Sequence, residues 1–129
     1  MQRGKYERSQ TTWRIIFIAT LLAVVTLALY PNLKLSRLPI GVHLHDAFFH
    51  ILAFTVITLV AANAWRLKSY IVWQLVLLAL ALELAQSIAP GREVHLSDAA
   101  ASLSGIVVGG IAQTASTQLR RVFYAGFDT

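Results

Sequence analysis

The sequence contains no cysteine, which excludes disulfide bonds, thiolate catalysis and metal or iron–sulfur sites built on cysteine. Charged residues are scarce as well: they make up 13% of the 129 residues, whereas soluble domains carry about 25%. Hydrophobic residues account for 57%, and the mean hydropathy is +0.62. Because a chain this short needs many polar residues to cover its surface in water, the composition argues against a soluble domain. It argues equally against disorder and indicates a small integral membrane protein.

Long apolar runs are the main feature that the sequence does have. A bilayer core of about 30 Å takes about 20 mostly apolar residues per helix, and four segments meet that requirement. The predicted spans are approximately Trp13–Tyr30, Asp46–Trp65, Tyr70–Ala89 and Ser97–Ser116. We therefore expect an all-α integral membrane four-helix bundle over residues 13–116, with a basic segment at 1–12 before it and a tail at 117–129 after it.

The basic residues predict the orientation of the spans. Eight of the eleven Lys and Arg residues fall on the side of the two termini and the second loop, and three fall on the other side. Since cytoplasmic loops carry an excess of Lys and Arg, both termini are expected to be cytoplasmic. The formal charge of +5 is thereby explained as a topology signal, and no nucleic-acid partner is expected.

The ionisable residues near the spans gather at the opposite, outer end. Four of the six acidic residues and all four histidines fall there. An ionisable group inside a membrane costs at least a few kcal/mol, so each is a candidate for function. The candidate ligand-binding residues are Asp46, His50, Glu83, Gln86, Arg92 and Asp98.

Residue spacing places some of these side chains on shared helix faces. Asp46 and His50 are four residues apart, and Glu83 and Gln86 are three apart, so each pair shares a face. If the chain is an enzyme, the candidate catalytic residues are His50 as a general base oriented by Asp46, and Glu83 as an acid or second base. The spacings match no metal-binding motif, and we expect neither a metal nor another cofactor.

Each candidate also has a structural interpretation. Asp46 and Asp98 can cap the second and fourth helices and complement their dipoles. His50 can be a core histidine bonded to a neighbouring helix. Glu83 can form a structural ion pair with Arg92. The two interpretations of each residue predict different partners in three dimensions.

The fourth span carries small residues at a regular interval. Ala101, Gly105 and Gly109 recur every four residues, which lets two helix backbones approach closely. The pattern predicts that the fourth helix packs inside the bundle through this face. Homodimerisation through the same face is the alternative.

Several short motifs occur in a fixed order along the last three spans. They are Asp46-(x)3-His50-(x)3-Phe54, Glu83-(x)2-Gln86, Pro90-Gly91-Arg92, Ser97-Asp98 and Gly105-(x)3-Gly109. This pattern resembles the VanZ-like membrane proteins, whose founding member is associated with low-level resistance to the glycopeptide teicoplanin. The sequence departs from the family pattern at Ala47, where Lys is common, and at Ser102, where Asn is common.

The resemblance implies a multi-pass protein of the bacterial plasma membrane with a role in the cell envelope. We expect an accessory or binding protein, monomeric or a small homo-oligomer, whose partners are the lipid bilayer and an anionic or lipid-linked envelope ligand. The alternative is an intramembrane hydrolase or transferase acting on a lipid-linked headgroup. A proton-coupled transporter is disfavoured, because the charged groups stop near the outer half of the spans.

Overall fold

The computed structural model describes residues 2–29, 42–88 and 96–125, with side chains over 9–29, 46–88 and 96–123. Its four helices are α1 (Gln2–Leu29), α2 (Val42–Trp65), α3 (Ser69–Ile88) and α4 (Leu96–Ala125), and no strand occurs in these ranges. All four helices are long and apolar enough to cross a membrane. The predicted all-α fold with four spans is therefore confirmed, and the chain is a multi-pass membrane protein.

Three of the helices extend beyond their predicted spans. Helix α1 begins at Gln2 and helix α4 continues to Ala125, so the basic segment and most of the tail are helical continuations. Helix α2 begins at Val42, four residues before Asp46. Hydropathy marks the part of a helix that lies in lipid, and polar residues can extend the same helix beyond it.

Contacts between the helices fix their relative directions. His50 near the start of α2 meets Ser102 near the start of α4, and further on Thr58 meets Gly109, so α2 and α4 run parallel. Arg14 and Phe17, near the middle of α1, contact Trp65 at the end of α2. Ala28 at the end of α1 is bonded to Gln86 at the far end of α3, so α1 and α2 run antiparallel. This is the up-and-down arrangement expected of four consecutive spans.

The bundle therefore has two chemically different ends. We call the end where α2 and α4 begin and α1 and α3 end the polar end. We call the other end, where α1 and α3 begin and α2 ends, the basic end. The second half of α4 runs towards this end. The turn at residues 66–68 connects α2 to α3 there.

The core is centred on α2. Phe54, Ile57 and Ala61 of α2 pack with Ile106 of α4, and a row on α3 completes the cluster: Ile71, Leu75, Ala79 and Leu82. None of the described side chains of α1 is fully buried, and α1 contributes partly buried residues at the periphery. Large apolar side chains such as Trp73 and Leu84 lie on the outside of the bundle, where a bilayer covers them.

Candidate functional site

The helix directions bring the described candidates to one end of the molecule. Asp46 and His50 lie in the first half of α2, Glu83 and Gln86 in the last turns of α3, and Asp98 in the first turn of α4. Because α2 and α4 run opposite to α3, all five belong to the polar end. Arg92, the sixth candidate, lies outside the described residues.

A hydrogen bond between His50 and Ser102 forms the centre of this end. His50 Nδ1 lies 3.1 Å from Ser102 Oγ, and the two residues are 52 positions apart in the sequence. His50 is half-buried, and Ser102 is 2% exposed. This contact matches the structural interpretation of His50 as a histidine bonded to a neighbouring helix. It also shows that Ser102, where the family pattern commonly has Asn, supplies a polar partner.

The close approach of α2 and α4 makes this bond possible. A Cβ atom on Gly105 would lie 2.5 Å from the Ile51 carbonyl oxygen, and one on Gly109 would lie 2.7 Å from Thr58 Cβ. Thr55 Oγ1 also donates to the Gly105 carbonyl oxygen at 3.2 Å. The face of Ala101, Gly105 and Gly109 thus lies against α2. Small residues at these positions bring the two backbones together, and His50 and Ser102 meet one turn nearer the polar end.

Two carboxylates stand one helical turn outward from the His50–Ser102 bond. Asp46 precedes His50 by four residues and Asp98 precedes Ser102 by four, so each carboxylate shares a helix face with a member of the bonded pair. Asp46 is exposed and Asp98 is half-buried. Since α2 and α4 run parallel, the pair lies at the inner level and the two carboxylates at the outer level.

The capping interpretation has different outcomes for these two residues. Asp46 is the fifth residue of α2, so the capping interpretation does not apply to it. Asp98 lies in the first turn of α4, where a negative charge complements the helix dipole, and Ser97 Oγ donates to its Oδ1 at 3.3 Å. Asp98 therefore has a structural role at the start of α4.

Gln86 has a structural partner that the sequence did not indicate. It is 6% exposed, and its Nε2 donates to the carbonyl oxygen of Ala28 at 3.0 Å. Ala28 is the penultimate residue of α1, and the last four carbonyls of a helix have no partner within it. Gln86 thus ties the end of α3 to the end of α1.

Glu83 lies one turn before Gln86 and is half-buried. Within the described part of the chain, no hydrogen bond or ion pair involves its carboxylate. Its predicted partner Arg92 lies outside the described residues, as do Glu93 and His95. His43 and His45 lie in the first turn of α2.

The described residues do not form a metal centre: in ranges 46–88 and 96–123, no three His, Asp or Glu side chains are placed to hold an ion together. What the polar end offers is an imidazole bonded to a buried hydroxyl, with Asp46 and Asp98 one turn outward on the same two helices. Such a group can donate a hydrogen bond to a polar ligand or accept one from it.

Comparisons with protein-family models, curated proteins and solved structures gave no match to this chain. The features that bear on function are therefore the geometry of the polar end and the motifs along the last three helices.

Proposed function

We propose that this chain is a VanZ-like membrane protein of the bacterial cell envelope that binds an anionic or lipid-linked envelope ligand at its polar end. In this proposal the polar end faces outward from the plasma membrane, and the protein contributes to the response to glycopeptides such as teicoplanin. The supporting observation is the His50–Ser102 hydrogen bond, with Asp46 and Asp98 one turn outward.

The geometry suits a binding role in which His50 is the central contact. The Ser102 hydroxyl holds Nδ1, so the ring has a fixed orientation and its other nitrogen is available for a ligand. A ring fixed before binding loses less rotational freedom when a ligand arrives. Arg92 is the proposed contact for the anionic group, and Glu83 is the proposed third carboxylate of the site.

A second function, an intramembrane hydrolase or transferase, is favoured by one observation. A serine hydroxyl within hydrogen-bonding distance of an imidazole is the arrangement of a nucleophile and its base. Ser102 is 2% exposed, however, so a substrate does not reach its Oγ in this structure. Burial of the hydroxyl makes binding the better-supported function.

Binding by purified variants tests the proposal. The probes are an undecaprenyl-diphosphate-linked cell-wall precursor and teicoplanin, each titrated against the full chain in detergent. We expect His50→Ala to weaken binding of at least one probe about tenfold or more, since a hydrogen bond to a charged group contributes about 1.5–3 kcal/mol. Ser102→Ala should weaken it by about fivefold, because the imidazole loses its fixed orientation.

Ser104→Ala is the matched control on the same helix. Ser104 is exposed, and its hydroxyl donates to the Ala100 carbonyl oxygen of its own helix, so this variant should bind as the native chain does. Unchanged binding by the folded His50→Ala variant would contradict the proposal. Cleavage of the lipid-linked probe by the native chain, lost in Ser102→Ala, would establish the second function in its place.

A further inference from the structure

A groove on the outside of the bundle is separate from the candidate site. It runs along α4 from Val107 to Gln118, has a volume of about 550 Å³, and is closed on one side by Leu67 of the turn between α2 and α3. We call it the α4 groove. The groove is shallow and largely open to the surroundings of the bundle.

The groove is apolar although its wall includes polar residue types. Gly110 leaves its floor open, since the nearest atom to a Cβ placed there would be Leu67 Cδ2 at 3.5 Å. The Thr114 hydroxyl donates to the Gly110 carbonyl oxygen at 2.9 Å, so it is satisfied within its own helix. Ile111 supplies further apolar surface. A hydrocarbon chain fits these walls better than a polar ligand does.

Basic residues flank the lining residues of the groove along the chain. Leu67 lies between Arg66 and Lys68, and both of these side chains are exposed. On α4, Arg121 follows Gly110 by eleven residues, which at about 100° per residue returns it to the same face of the helix. The described acidic side chains, Asp46, Glu83 and Asp98, all lie at the polar end instead. The surroundings of the groove therefore complement an anion.

The backbone conformation at Arg66 favours a ligand-binding role for the turn at residues 66–68. Arg66 has a φ of 61°, in the left-handed region that glycine usually occupies after a helix, and its N–H donates to the Ala62 carbonyl oxygen at 2.9 Å. A residue with a side chain is less stable than glycine in this conformation by about 1 kcal/mol. The chain nevertheless has a cation there, beside the groove wall.

We propose that the α4 groove binds an anionic phospholipid, with one acyl chain against Gly110 and Ile111 and the phosphate near Arg66, Lys68 and Arg121. Basic clusters beside transmembrane helices attract anionic lipid headgroups, and the bilayer supplies acyl chains at this depth. This inference is independent of the proposed function at the polar end.

Native mass spectrometry of the full chain tests it, with phosphatidylglycerol and phosphatidylcholine of identical acyl chains as the probes. We expect the native chain to retain more phosphatidylglycerol than phosphatidylcholine. Gly110→Leu should remove this preference and displace the bound lipid, because the new side chain fills the groove. The site has room for a Cβ, so this variant should keep the helicity of the native chain, which circular dichroism checks.

A pair of adjacent arginines provides the matched control for the charge. Measured around the helix from the centre of the six α4 residues that line the groove, Arg121 lies about 50° away and Arg120 about 150° away, and both are exposed. Arg121→Gln should lower phosphatidylglycerol affinity about fivefold, and Arg120→Gln should leave it unchanged. Equal retention of both lipids, equal effects of the two arginine variants, or a dimer that only Gly110→Leu dissociates would each overturn the proposal.

Discussion

At the scale of single residues, the polar end shows that a polar side chain in a membrane helix can bond to a neighbouring helix and still be able to bind a ligand. Gln86 and His50 are both polar groups within helices that cross the membrane, and each is hydrogen-bonded to another helix. Gln86 uses its amide nitrogen on a backbone carbonyl, which is a purely structural bond. His50 uses one ring nitrogen on Ser102, and its second ring nitrogen donates or accepts according to the tautomer, whereas the remaining N–H of Gln86 Nε2 can only donate.

Replacement of Gln86 tests the structural part of this distinction. Gln86→Leu keeps a similar volume but removes the donor to the Ala28 carbonyl oxygen, so the free energy of unfolding should fall by about 1 kcal/mol. Gln74→Leu is the control, since Gln74 is on the same helix but is exposed. Denaturation in mixed micelles, followed by circular dichroism, measures both. Loss of ligand binding by Gln86→Leu with unchanged stability would show that Gln86 serves the ligand and not the helix pair.

At the scale of helices, the α2–α4 pair determines where the site forms. Gly105 and Gly109 meet backbone or Cβ atoms of α2 at distances that no side chain at those positions could accommodate. Gly110, the next residue along, faces the groove instead. Gly109 therefore has no room for a side chain, whereas its neighbour Gly110 does.

Alanine substitutions at these glycines should change stability in opposite directions. Gly105→Ala places a Cβ 2.5 Å from a backbone oxygen of Ile51, so the helices must separate, and we expect a loss of about 1–3 kcal/mol. Gly110→Ala meets nothing closer than 3.5 Å and should stabilise the chain by up to about 1 kcal/mol through helix propensity. The same denaturation assay measures both variants, and equal effects would mean that the α2–α4 contact is not as close as described. Gly105→Ala should also weaken the His50–Ser102 contact and hence probe binding.

The helices themselves could be predicted from sequence, but most of their partners could not. Apolar runs and the interval of Ala101, Gly105 and Gly109 identify spans and one packing face without any tertiary information. The bonds from His50 to Ser102 and from Gln86 to Ala28 join residues 52 and 58 positions apart. A membrane helix is apolar towards lipid and towards its neighbours, so hydropathy does not reveal how it is rotated. Only the packed bundle shows which polar groups face each other.

At the scale of the whole molecule, the described charged side chains are separated along the axis of the bundle. The described carboxylates lie at the polar end, and the described cations, among them Arg14, Lys68 and Arg120, lie at the basic end or along the helices that lead to it. The candidate site and the α4 groove therefore occupy opposite ends of the bundle. Their ligands would approach from different sides of the membrane. The orientation of the chain determines which of the two ligands approaches from the cytoplasm.

Because the native chain has no cysteine, single-cysteine variants can establish this orientation without background labelling. Ser97→Cys reports on the polar end and Ser69→Cys on the basic end, and both positions are exposed. The excess of Lys and Arg predicts that a membrane-impermeant maleimide labels position 97 in intact spheroplasts and position 69 only after permeabilisation. The reverse pattern would place the polar end in the cytoplasm and so remove the envelope ligand from the proposed function. The phospholipid site would survive that result, since it requires only that the basic end face a leaflet containing anionic lipid.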